Sequence, residues 1–231
     1  MRIACCILSY NITKGMKSLG PIGLLKKNNK SKELILQQIE DLKRMFRNVD
    51  VYVISGFGNE KLQKTIEKKR NVYNIINKQY ANKNQSYAIK LFMNEIKDSI
   101  DKYHGVFFID SNIIIKNLVS KSKNKSWLVV SKKPNPGDKD RIGVNINNEA
   151  GRVRYLFYNI GEHNWCQSFY LQQKHLKYLI KMCENCHDNM FLFEMINKMI
   201  DQYQINISVN YLQKTKDYIY ISGPKDKSKI K

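Results

Sequence analysis

Asp110, Ser111 and Asn112 follow directly on the apolar run Val106–Ile109 and directly precede Ile113–Ile115. A carboxylate, a hydroxyl and an amide in a row can hold a cation or hydrogen-bond an anionic ligand. Two further sets of residues have types and spacing that suit chemistry. His163-x-x-Cys166 and Cys183-x-x-Cys186, with His187 adjacent, have the spacing of zinc ligands. The competing reading makes Cys166 a strand residue and Cys183 an inward helix residue, both acting as small hydrophobes. Cys183–His187 also spells C-x-x-C-H, the haem-attachment pattern, in a chain with no export signal. The third set is Lys116 to Arg154, where ten basic residues occur with Trp127, Tyr155 and Tyr158 in or near them. Such interleaving binds single-stranded nucleic acid. A solvated loop beside core aromatics is the favoured account, because no recognised nucleic-acid motif is present.

The elements that must position Asp110–Asn112 are legible from periodicity. Val106–Asp110 reads as a strand buried on both faces, with the polar triplet at its carboxyl end, where open α/β sheets bind ligands. Ile3–Leu8, Val51–Ile54 and Val72–Ile76 are further strands. Ser9–Lys30 is a long loop, and the tail Lys225–Lys231 is charged and expected to fray. Between the strands, Ile35, Ile39, Leu42 and Phe46 define a helix capped by Ser31. Leu62 and Ile66 define a short one capped by Asn59. Ala88, Phe92, Ile96 and Ile100 define a third, capped by Asn84. This alternation over 1–116 predicts a mostly parallel central sheet with helices on both faces and right-handed crossovers.

The second half reads as extra strands and two helices. Trp127–Ser131 and Trp165–Tyr170 are strands. Ile142–Ile146 and Val153–Tyr158 form a hairpin, and Pro134–Asp138 is a turn. Helices cover Gln172–Cys183 and Met190–Tyr203, the second capped by Asp188, and Ile205–Val209 and Tyr218–Ile221 are late strands. One domain over 1–231 is expected, with halves 1–116 and 117–231.

Composition narrows the partners. The 231 residues carry 40 Lys and Arg against 20 Asp and Glu, a net charge of +20. The excess is densest over 116–160 and favours polyanions or an acidic protein partner. Abundant Lys, Asn and Ile together also match AT-rich coding, which accounts for charge without a partner and suits a viral or phage source. Five cysteines, two of them in the first strand, indicate free thiols and a reducing compartment. No apolar run reaches membrane-spanning length, and the apolar N-terminus lacks a small-residue cleavage site. The expected location is the cytoplasm or a virus particle, not the secreted space.

Several motifs in order resemble one family. Leu19-Gly20-Pro21-Ile22-Gly23-Leu24-Leu25, Gln38-Ile39, Ser55-Gly56-Phe57, Asn77–Ser86 and Asp110-Ser111-Asn112 resemble, in sequence order and spacing, the nucleotidyltransferases of the sugar-phosphate and choline-phosphate kind. The resemblance runs from Ile3 to about Lys116 and more weakly to Asp226. It implies a GT-A-like fold, a nucleotide-binding-type half over 1–116 and an acceptor-type half over 117–231. It also implies where chemistry would sit, and there the sequence departs from the family. Ser9-Tyr10-Asn11-Ile12-Thr13-Lys14 stands where the family has a glycine cradle for phosphate, which needs residues without a Cβ. Ile22 replaces a lysine, Asn112 a metal-binding aspartate and Ser222 a second carboxylate.

These departures set the functional expectation. The leading reading is a non-catalytic protein on a nucleotidyltransferase-like fold that acts in binding or in an assembly such as a particle. It keeps a remnant ligand pocket at Ser9, Tyr10, Lys14, Asn84, Gln85, Ser86, Asp110 and Asn112, and it needs no metal. The alternative is a working sugar-phosphate or choline-phosphate nucleotidyltransferase of altered specificity. It would bind a nucleoside triphosphate with Mg²⁺ at Asp110 and use Lys14 or Lys17 for phosphate. A third reading is a module that binds polyanions or single-stranded nucleic acid.

Overall fold

The computed structural model describes residues 2–116, 124–132, 141–147, 149–214 and 217–230. The Pro134–Asp138 turn and most of the basic stretch after Lys116 lie outside them. Four parallel strands form one side of the main sheet: β1 (Arg2–Ser9), β2 (Val49–Ser55), β3 (Val72–Ile76) and β4 (Tyr103–Asp110), in the order β3-β2-β1-β4. Beyond β4 the sheet turns mixed. Strand β9 (His163–Gln172) runs antiparallel to β4 and to β6 (Ser126–Ser131). Strand β10 (Ile207–Tyr211) lies parallel to β6, and the hairpin β7 (Ile142–Asn147) and β8 (Arg152–Tyr158) follows. A separate ribbon pairs β5 (Ile113–Ile115) with β11 (Tyr218–Tyr220).

Side-chain alternation explains the two helical layers. On β1, Ile3, Cys5 and Ile7 face one side and Ala4, Cys6 and Leu8 the other. The first side is covered by α1 (Leu34–Met45) and α2 (Asn59–Ile66). The second is covered by α3 (Gln85–Ile96), α4 (Gln173–Asn185) and α5 (Leu192–Tyr203). Continuous apolar strands therefore arise because both faces are buried. All five cysteines are free thiols. Among the described residues no helix is long and apolar enough to cross a membrane.

Three expected helix caps are replaced, each for a physical reason. Ser31 does not cap α1; its hydroxyl donates to Asn28 Oδ1 at 2.9 Å. The helix starts at Leu34, whose N–H is already taken by the Leu25 carbonyl at 2.9 Å. Asn59 is the first residue of α2 rather than its cap, because Gly58 takes the cap position at φ 62°. A side chain there is strained, and a Cβ would lie 2.7 Å from Pro21 Cδ. Asp188 pairs with Lys83 instead of capping α5, whose first N–H, that of Leu192, goes to Gln85 Oε1 at 2.7 Å. Asn84 does cap α3, its Oδ1 accepting the Gln85 N–H at 2.8 Å.

The described part of the tail is packed rather than frayed. Pro224–Lys229 forms a 3-10 turn, and Ile230 is 1% exposed. It seals a small third core with Met16, Ile22, Leu25, Leu34, Ile114 and Ile221.

Candidate functional site at the carboxyl edge of the sheet

The carboxyl ends of β1, β2 and β4 bring Ser9, Tyr10, Gly56 and Asp110 to one edge. Register sets Leu8 beside Asp110 and Ser9 beside Ser55. Alternation along β4 turns Val106 and Phe108 to the layer of α3–α5, so Asp110 turns that way too. There Gln85 Nε2 donates to Asp110 Oδ2 at 3.2 Å and lies 3.5 Å from Oδ1. The carboxyl is withdrawn from bulk water although the residue keeps a partly exposed edge. Burial pushes it up to about 7, and the Gln85 hydrogen bond pulls the other way.

The rest of the Asn84–Ser86 segment is occupied in building the fold. The Asn84 N–H donates to the Asp188 carbonyl at 3.0 Å, and the Ser86 N–H to the Met190 carbonyl at 3.0 Å. The Ser86 hydroxyl donates to the His187 carbonyl at 2.9 Å and accepts the Met190 N–H at 3.0 Å. The segment thus grips the loop that leads into α5.

Tyr10 fills the space beside the carboxylate. It is 1% exposed and belongs to the same core layer as Leu8 and Phe108. Burial, and then the neighbouring Asp110 charge, raise its phenol well above the ordinary value. Its carbonyl accepts the Phe57 N–H at 3.1 Å, and this close approach requires Gly56. A Cβ on Gly56 would meet Tyr80 Cβ at 2.5 Å and the Tyr10 carbonyl oxygen at 2.7 Å. Ser9 is buried beneath Gly23, and its hydroxyl has no hydrogen-bond partner. Lys14 and Lys17 lie exposed on the following loop, and Ile12 is 42% exposed. Ile22 is drawn into the third core.

The turn after Asp110 is fixed from the opposite helical layer by a residue whose role the motif reading missed. Gln38 on α1 donates from Nε2 to the Asp110 carbonyl at 2.9 Å and to the Ile113 carbonyl at 2.6 Å. The signal for it was a polar residue on the buried stripe between Ile35, Ile39 and Leu42. The Asn112 carbonyl accepts the Ile221 N–H at 2.8 Å, while its side-chain Oδ1 is buried without a partner. Ser222 donates from N–H and hydroxyl to Asp226 Oδ2 at 2.8 and 2.6 Å, and Asp226 pairs with Lys229 at 2.6 Å. Burial works against the Asp226 charge, but the bonds from Lys229 and Ser222 prevail and hold it below the usual carboxylate range.

This donor set does not fit a Mg²⁺ centre. Mg²⁺ binds hard, anionic oxygens. Asp110 offers one carboxyl, already hydrogen-bonded to an amide N–H. Asn112 supplies a neutral oxygen, and Asp226 is neutralised by Lys229.

The other sequence sets are not brought together. Cys166 faces the α1–α2 layer and Cys183 the α3–α5 layer, so His163, Cys166, Cys183 and Cys186 do not converge. Among the described residues no three His, Cys, Asp or Glu side chains form a metal-ligating group. The haem-type pattern has its first cysteine, Cys183, in a core. Trp127 is buried and stacks on Tyr170 with ring centroids 5.4 Å apart, out of reach of a nucleobase. Tyr155 bonds Asp201, and Tyr158 is exposed.

Comparison of the whole architecture with solved structures shows which proteins share this fold. The chain superposes on a CTP:phosphocholine cytidylyltransferase from Streptococcus pneumoniae with TM-score 0.71 and 16% identity, covering 98% of this chain and 96% of that one. A nucleoside-diphosphate-sugar pyrophosphorylase from Vibrio cholerae RC9 gives TM-score 0.72 and 12% identity over 98% and 97%. The inositol-1-phosphate CTP transferase from T. maritima gives 0.71 and 15% over 96% and 90%. No family model and no curated protein matches the chain. The likeness is one of fold: the chain has a mixed α/β architecture of the GT-A, nucleotidyltransferase-like type, the fold that the sequence motifs imply.

Proposed function

We propose that the chain is a non-catalytic binding protein, or a component of an assembly, on a nucleotidyltransferase-like fold. One observation carries this reading. Gln85 is spent at both ends, on Asp110 at 3.2 Å and on the Leu192 N–H at 2.7 Å, so the edge carboxyl is locked into the packing of two helices. Three features add support. Tyr10 stands where a phosphate cradle needs glycine, Ile22 carries no charge, and the donor set suits Mg²⁺ poorly. Phosphoryl transfer requires charge stabilisation and close backbone approach, and this edge offers little of either. The net charge of +20 favours a polyanionic or acidic partner. The test is pyrophosphate release from CTP, UTP, ATP or GTP with Mg²⁺ and phosphocholine or a sugar phosphate. This reading expects none above background, and sustained release would replace it with the transferase alternative.

A further inference from the structure

A cleft opens at the other end of the sheet from Asp110. On β4, Gly105, which pairs with Gln172 of β9, lies five residues before Asp110. Five residues of strand put these positions roughly 17 Å apart. The cleft, of about 500 Å³, is lined by Lys125, Arg152, Lys174 and His175, with the amides and hydroxyls of Asn124, Gln172, Gln204, Asn206 and Ser208 around them. Its three cations come from three different elements: the approach to β6, the start of β8 and the first turn of α4. No carboxylate lines it, and among the described residues none pairs with these cations.

The polar groups inside are held in place. Ser126 Oγ sits 2.9 Å from His175 Nδ1 and accepts the Gln172 N–H at 3.2 Å. Arg152 Nη1 donates to Asn206 Oδ1 at 2.8 Å, which aims the guanidinium along the cleft wall. Burial, and then Lys174 and Lys177, push His175 down to about 4, so its ring is neutral at pH 7. Three cations lining one cleft with no counter-charge, in a space of small-molecule size rich in amides, match an anion that carries its own hydrogen-bonding body.

We propose that this cleft binds a small phosphorylated molecule, its phosphate held by Lys125, Arg152 and Lys174 and its polar remainder by the surrounding amides. The site is separate from the Asp110 edge and stands whether or not that edge is catalytic.

Isothermal titration calorimetry at fixed moderate salt tests it with two probes, inorganic diphosphate and a hexose monophosphate, to separate a free anion from an ester. The expected result is saturable one-to-one binding of at least one probe. Arg152→Gln and Lys174→Gln should each weaken it by about tenfold, the scale of one lost charge-assisted hydrogen bond. Lys27→Gln, an exposed lysine outside the cleft, serves as control and should leave it unchanged. All three replaced side chains are exposed, so the variants keep the fold. Absence of binding by both probes to the wild type would overturn the proposal. So would equal weakening by Lys27→Gln, which would mean diffuse attraction to a basic surface.

Discussion

Gln85 Nε2 lies 3.2 Å from Asp110 Oδ2 while the same side chain's Oε1 accepts the Leu192 N–H at 2.7 Å, so one amide joins the carboxyl edge of β4 to the start of α5. Replacing Gln85 by Leu leaves both partners without a hydrogen bond. Each orphaned buried group costs about 1–3 kcal/mol. Urea denaturation of Gln85→Leu should therefore show a loss of about 2–5 kcal/mol. A change below about 0.5 kcal/mol, the range of an ordinary surface substitution, would mean the bridge is not structural.

Asp110 makes stability fall as pH rises from about 4 to about 7. Its folded pKa is raised from 3.8 to about 7, so between these values the folded state binds the proton and the unfolded state does not. The contribution is complete below about pH 4 and lost as pH rises through about 7. Asp110→Asn removes the ionisation. The variant should be more stable than wild type at pH 8 by about 2–4 kcal/mol and show no such advantage at pH 4. Denaturant midpoints at the two pH values check this, and a stabilisation equal at both would refute the ionisation account.

The Gly58 backbone has no room for a side chain. With φ 62° and a Cβ 2.7 Å from Pro21 Cδ, Gly58→Ala combines conformational strain with a clash. A loss of about 2–4 kcal/mol is expected from the two together. Thermal melting should fall by about 4–16 °C, given about 2–4 °C per kcal/mol for a chain of this size.

Asp50 anchors the opposite end of the strands. It is buried, accepts from Arg2 at 2.7 Å and from the Tyr103 hydroxyl at 2.7 Å, and Tyr103 is in turn 2.9 Å from the Tyr52 hydroxyl. Asp50→Ala strips the charge that both donors serve. A cost of about 2–4 kcal/mol is expected, toward the lower side of a broken buried pair because Arg2 reaches solvent. Tyr103→Phe, which leaves Arg2 paired, should cost about 1 kcal/mol by the same denaturation measurement.

Much of this architecture is readable from sequence because burial on both faces writes continuous apolar strands. Ile3–Leu8, Val51–Ile54 and Val106–Asp110 each fall within a strand of the four-stranded parallel block. The Asp110 edge was legible for the same reason, as a polar triplet at the end of such a run. Caps were less legible, since long-range partners replaced local ones. Leu25 serves α1, Gln85 serves α5, and the Pro21 contact selects Gly58 for α2. The tail read as frayed because Lys225–Lys229 is so charged, yet the single apolar Ile230 docks it. The zinc spacing failed because sequence distance says nothing about which face of the sheet a strand cysteine occupies. Gln38 was inconspicuous because its partners are backbone carbonyls 72 and 75 residues away.

The central claim is that the Asp110 edge holds packing and not a nucleotide. Thermal unfolding with 5 mM each of CTP, UTP, ATP and GTP, with excess Mg²⁺, tests it most directly. A nucleotide at about 100 times its dissociation constant would stabilise the chain by about 2.7 kcal/mol, roughly 5–11 °C at this size. The account predicts no upward shift beyond that given by the same ionic strength of NaCl. A Mg²⁺-dependent rise with one nucleotide, abolished by Asp110→Asn, would contradict it.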